Sequence, residues 1–152
     1  MYYKVSTLDN VNYRDFEEVL NIPGISVIKT RDGIKPYENW QKITEDEYNE
    51  IKDELGILKK AIVNVSPNNT TTTNTTLVLT FELRNWKGDL AINETVPVLV
   101  SVKGPGQPVN QEVLPVNGLI EFEFISSVTG IYEIHLTGPR YEDFILEVTV
   151  YE

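Results

Sequence analysis

The chain reads as mainly β, with a small α+β module over residues 1–60 followed by a β-sandwich over residues 61–152. Three observations predict this. Apolar and polar residues alternate in five separate runs between Leu77 and Val150. Turn pairs built on glycine, asparagine and proline separate those runs at short intervals. Ahead of them, one well-capped helical signature stands among β-branched segments.

In the first sixty residues, YYKVSTL at 2–8 has strand composition. Asn12 stands three residues before Asp15, the spacing of a weak capping box. Tyr13, Phe16 and Leu20 follow at i, i+3 and i+7, which predicts a short helix over 13–20 ended by Pro23-Gly24. Ile25 to Thr30 is β-branched and apolar, hence a strand, and Arg31-Asp32-Gly33 reads as a turn. A second helix is predicted over 45–55. Thr44 and Glu47 form a capping box, and Glu45, Asp46 and Glu47 favour the positive end of the helix dipole. Tyr48, Ile51 and Leu55 make its apolar stripe, and Gly56 its C-terminal cap.

Residues 61–65 (AIVNV) suit another strand, and the polar tract SPNNTTTTNTT at 66–76 reads as a loop or linker. Asn-x-Thr sequons at Asn68, Asn69, Asn74 and Asn93 read as solvated turn residues. From there Leu77, Leu79, Phe81 and Leu83 point one way and Val78, Thr80 and Glu82 the other. Val96 to Val102, Ile120 to Phe124, Tyr132 to Leu136 and Phe144 to Val150 repeat the pattern, which gives each strand one buried and one mostly polar face. Lys87-Gly88-Asp89, Gly104-Pro105-Gly106, Asn117-Gly118, Thr129-Gly130 and Gly138-Pro139 are the turns between them. With 61–65 and 111–116 the count reaches about seven short strands, the pattern of an immunoglobulin-like sandwich.

Composition limits the chemistry. The net charge is -10, and residues 61–152 carry 11 acidic and 4 basic side chains, net -7, against 12 and 9, net -3, in residues 1–60. Such a surface disfavours phosphate backbones and anionic membranes, so neither nucleic acid nor membrane is expected as a partner. The absence of cysteine excludes disulfides, thiolate catalysis and cysteine-based zinc or iron–sulfur sites. No apolar run approaches the roughly 20 residues of a membrane helix, and the start, MYYKVSTLDN, has no apolar signal core.

Two resemblances add to this reading. Asn117-Gly118, Gly130-Ile131-Tyr132-Glu133-Ile134 and Phe144 to Val150 resemble the back half of bacterial immunoglobulin-like domains, over 77–152 or 61–152. That resemblance implies a fold and leaves the role open. Trp40-Gln41-Lys42-Ile43-Thr44-Glu45-Asp46-Glu47-Tyr48 resembles a phrase of small tailed-phage structural proteins, where a tryptophan precedes a helix start of this kind. Together they imply an accessory virion protein of the head-decoration, tail or fibre type.

Individual residues offer little chemistry. His135, the only histidine, falls on a polar strand face with no second histidine, which favours a surface residue over a metal ligand. There is no Gly-x-Ser-x-Gly elbow, no phosphate loop and no calcium-loop acidic run, so no catalytic, metal or cofactor site is expected. Glu121 and Glu123 lie about 7 Å apart on one strand face, with Glu133 and Glu147 as possible neighbours, but a solvated sheet face explains them better than a glycosidase pair. Trp86, in a loop after a strand, suits either a lid over the sandwich end or a sugar-stacking contact together with the loop at 104–110. Trp40 is expected to pack against the helix at 45–55. Tyr2, Tyr3, Tyr13, Tyr37 and Trp40 are candidate partner-binding residues of the first module, or else its core.

The sequence therefore points to a non-enzymatic structural protein of a phage particle, assembled in the host cytoplasm and located in the virion. Residues 1–60 would bind other virion proteins, the chain would form a homo-oligomer, and the acidic sandwich would be displayed. The rival is a carbohydrate- or cell-surface-binding module that takes a host-surface glycan through Trp86.

Overall fold

A computed structural model describes residues 1–5, 15–22, 25–33 and 40–152. The chain divides into two compact units, Met1–Ile57 and Leu58–Glu152.

The first unit contains strands β1 (Tyr2–Val5), β2 (Phe16–Ile22), β3 (Ile25–Thr30) and β4 (Gln41–Ile43), then helix α1 (Glu45–Glu54). The strands form one antiparallel sheet in the order β2-β3-β1-β4. Alternation sends successive residues to opposite faces. Tyr3, Val5, Phe16, Ile28 and Trp40 cluster together with Val19 against them. Leu20, Val27, Ile43 and Tyr48 form the other cluster, joined by Tyr2, Ile22 and Ile51. Helix α1 covers this second cluster through Tyr48 and Ile51. At its start the Thr44 hydroxyl accepts from the Glu47 amide at 3.1 Å and meets the Glu47 carboxylate at 3.4 Å. Gly56, at φ 74°, takes the left-handed conformation that ends the helix. Leu55, assigned to the apolar stripe, is instead the C-cap residue and is exposed.

The helix expected over 13–20 is corrected. Residues 16–22 are strand β2, paired with β3, and residues 13 and 14 lie outside the described residues. The register shifts between Phe16 and Glu18. An extra residue at such a bulge puts Phe16 and Val19 on the same sheet face, which reproduces a helix-like i, i+3 spacing in an extended chain. Trp40 is also corrected: it packs on Tyr3 and Phe16, in the cluster that α1 does not cover.

The second unit is an immunoglobulin-like sandwich of eight strands: β5 (Ala61–Asn64), β6 (Thr70–Thr72), β7 (Leu77–Arg84), β8 (Val98–Lys103), β9 (Val109–Val113), β10 (Leu119–Phe124), β11 (Gly130–Thr137) and β12 (Phe144–Tyr151). One sheet has the order β10-β7-β5 and the other β6-β12-β11-β8-β9. Residues 61–64 therefore belong to the sandwich. The tract at 66–76 is not only a loop, because Thr70–Thr72 pairs in parallel with the end of β12. Its threonines carry no apolar signal, yet the β-branched backbone completes a sheet edge.

Eighteen buried residues form one continuous core, with Leu79, Phe81, Leu83, Val100, Ile120, Ile134, Leu136 and Val148 fully enclosed. Asn117 at φ 52° and Gly118 at φ 77° make the tight turn that leads into β10, closed by reciprocal bonds between Val116 and Leu119 of 2.9 and 3.0 Å. Gly104 must lack a side chain, since a Cβ there would stand 2.4 Å from the Tyr132 ring.

Candidate functional site

The sandwich carries three chemically distinct arrangements: a buried ion cluster, an outer polar row and an open margin. The ion cluster centres on Glu94. Lys60 Nζ lies 2.9 Å from its Oε2, Arg140 Nε 3.2 Å from its Oε1, and the Val96 amide donates to Oε1 at 3.2 Å. Both Lys60 and Glu94 are buried. Burial alone raises the Glu94 pKa, but the Lys60 bond, the Val96 amide and the two cations outweigh it and hold the carboxyl below its usual range. The adjacent Tyr141 hydroxyl donates to the Val96 carbonyl, and burial followed by the Glu94 charge pushes its pKa well up. Held ionised above its lowered pKa and met by several donors, Glu94 is suited to clamping the 94–96 segment, residue 60 and the turn before β12 together. It has no proton to give and is enclosed by its partners.

The polar row lies on the outer face of the five-stranded sheet. Glu133 stands across from Glu147 on one side and Lys103 on the other. His135 Nε2 meets Glu133 Oε2 at 2.8 Å. Glu121 and Glu123, by contrast, belong to β10 in the other sheet, so the four carboxylates do not gather as a group. Among the described residues no set of three or more His, Asp or Glu side chains is arranged to hold a metal ion.

The open margin is formed by β9 and β10, each the last strand of its own sheet. A hollow of about 500 Å³ lies at one end, between the 105–109 loop and residues 124–128, with Tyr132 in its wall. Tyr132 donates to the Val128 carbonyl at 2.7 Å and meets the Ser126 hydroxyl at 2.6 Å, which fixes this loop against the sandwich. A second hollow of about 370 Å³ lies at the other end, lined by Val113, Leu114, Val116, Asn117, Leu119 and Glu121. Both hollows are bounded by the same two strands, and Leu114, Val116, Ile125 and Val128 are exposed along them.

The anticipated site residues fall as follows. Tyr3 and Trp40 are core residues of the first unit. Tyr2 is half-buried and packs on Tyr48 in a tilted ring contact with centroids 4.7 Å apart. Tyr13 and Tyr37 lie outside the described residues. Trp86 is half-buried, its indole Nε1 is enclosed without a hydrogen-bond partner, and Lys87 Nζ lies 5.0 Å over its ring. It follows the end of β7, whereas the 104–110 loop lies beside Phe124, which pairs with Leu77 at the start of β7. The structure does not bring Trp86 and that loop together. The open edges of β9 and β10 do not show in local pattern, although the absence of Lys and Arg between Lys103 and Arg140 marks this stretch in the sequence.

No protein-family model matches the chain, and no curated protein matches it either. Among solved structures, Escherichia coli alpha-2-macroglobulin activated by porcine elastase is similar over 60% of this chain, with 23% identity and a TM-score of 0.52. Trypsin-activated alpha-2-macroglobulin from Escherichia coli is similar over 98% of the chain, with 15% identity and a TM-score of 0.52. The Lin-41 filamin domain matches 59% of the chain at 19% identity with a TM-score of 0.48. The chain spans 8% and 11% of the two alpha-2-macroglobulin chains. The similarity to the two alpha-2-macroglobulin chains is one of fold.

Proposed function

We propose that the chain is a non-enzymatic accessory protein of a phage particle, resident in the virion. Met1–Ile57 attaches it to other virion proteins, and Leu58–Glu152 is displayed as an acidic binding domain. The observation that carries this reading is the division into two units, each with its own buried clusters. That organisation suits an attachment module joined to a displayed one. The Trp40–Tyr48 phrase supports the virion assignment, and the net charge of -7 on residues 61–152 suits a solvated, outward domain. Repetition by the particle's symmetry would make the chain oligomeric in place.

The test uses particles produced from the genome that encodes the chain. The full chain should co-sediment with them. A chain lacking Met1–Ile57 should stay in the supernatant while keeping the sandwich's cooperative thermal transition. Co-sedimentation of the truncated chain would refute the anchor, and particles devoid of the full chain would refute the virion role.

A second reading, a glycan- or cell-surface-binding module, draws on the half-buried Trp86 ring. Saturable binding on a glycan array that disappears in Trp86→Ala would favour it; the cation already over that ring counts against it.

A further inference from the structure

We infer that the open margin of the sandwich binds an extended segment of another protein by strand addition to β10, and that this segment alternates basic with apolar residues. The inference concerns the second unit alone and does not depend on the virion reading.

The backbone pattern of β10 carries it. Leu83 N donates to Gly118 O at 2.8 Å, and β10 runs antiparallel to β7 in that register. In an antiparallel ladder the residues that bond one neighbour alternate with those that face away. Residues 118, 120, 122 and 124 thus address β7, and residues 119, 121 and 123 address the margin. On β7 the same rule sends Thr80 toward β5, where its carbonyl accepts from Val65 N at 2.9 Å, as the alternation requires. Leu119 is already satisfied by Val116. Glu121 and Glu123 are left with outward N–H and C=O groups at i and i+2, the spacing that an incoming strand uses. No ladder joins β10 to β9, since the two lie in different sheets.

The side chains then select the occupant. Residues of an added strand that fall on the outer face would lie beside Glu121 and Glu123, where a cation is favoured across the strands. The stretch from Gly104 to Gly130 holds Glu112, Glu121 and Glu123 and no Asp, Lys or Arg. Residues of the opposite parity would turn toward the hollows at either end, against Val113, Leu114, Val116, Ile125 and Val128. Two copies joined margin to margin would set these glutamates against their own kind, so the occupant is a different chain. Six to seven residues of it would span the roughly 20 Å length of β10.

The test titrates the full chain with a fluorescent nine-residue peptide alternating lysine and valine, and with its glutamate–valine counterpart. The lysine peptide should bind saturably and at least tenfold more tightly than the glutamate peptide. It should also slow amide exchange at Glu121 and Glu123 specifically. Glu123→Pro removes one outward donor while sparing the ladder to β7, and it should weaken binding at least tenfold. Glu121→Lys with Glu123→Lys should reverse the peptide preference, which keeps the inference testable if the proline variant fails to fold. No binding, binding unchanged in both variants, or protection elsewhere would overturn it. So would a free protein that sediments as a dimer with Glu121 and Glu123 already protected.

Discussion

In Met1–Ile57 a single four-stranded sheet divides its buried apolar residues between two faces, five in one cluster and four in the other among the described residues. In Leu58–Glu152 two sheets share one core of eighteen. Burial stabilises in proportion to the area withdrawn from water, and the sandwich gathers that burial in one continuous core where the first unit splits it between two thin ones. The first unit compensates with polar devices: the Thr44 cap, and the Tyr48 hydroxyl donating to Glu18, which Lys52 also meets at 3.2 Å. The sandwich keeps its polar devices for special tasks, clamping a corner at Glu94 and leaving a margin open at β10. The first unit is thus tuned by single hydrogen bonds and the second governed by packing.

Substitutions can break that contrast. Phe81→Ala in the centre of the sandwich should cost about 4 kcal/mol, from lost transfer energy and the cavity left behind. Chemical denaturation followed by residue-specific probes should show the transition of Leu58–Glu152 moving while that of Met1–Ile57 stays. Glu94→Gln should cost about 3 kcal/mol, because Lys60 remains buried without its counter-charge. The same residue sets a pH dependence. Its folded pKa lies below its unfolded one, so its contribution is complete above the ordinary carboxylate range and is lost as pH falls through the depressed folded value. Denaturation midpoints of the native protein should fall over that acidic window, and those of Glu94→Gln should fall less.

Smaller effects sharpen the account of the first unit. Tyr48→Phe removes the donor to Glu18 and should cost about 1 kcal/mol. Thr44→Ala should also cost about 1 kcal/mol through the lost N-cap, visible as reduced helicity and a lower midpoint of the Met1–Ile57 transition. If either variant destabilised the sandwich as much as the first unit, the two would not be separate cooperative entities.

The sandwich was largely legible from alternation, because one buried face leaves a period of two that few other structures produce. Strand β2 was not, since Tyr13, Phe16 and Leu20 stand at helical spacing although the sheet sends Phe16 and Leu20 to opposite clusters. Strand β6 was hidden because a threonine tract carries no apolar pattern, and β4 because three residues, Gln41–Ile43, are too few to show one. Glu121 and Glu123 stood out as a carboxylate pair, but their meaning depends on β10 lying at an edge. That is a property of strand order, set by long-range pairing of β10 with β7 across about forty residues, and local pattern does not encode it.

Residue-resolved amide exchange of the unliganded full chain tests the open margin most directly. The account predicts that Ile120 and Phe122 exchange slowly through their bonds to β7, while Glu121 and Glu123, which alternate with them, exchange faster by about a hundredfold or more. Uniform protection from Ile120 to Glu123 would contradict it.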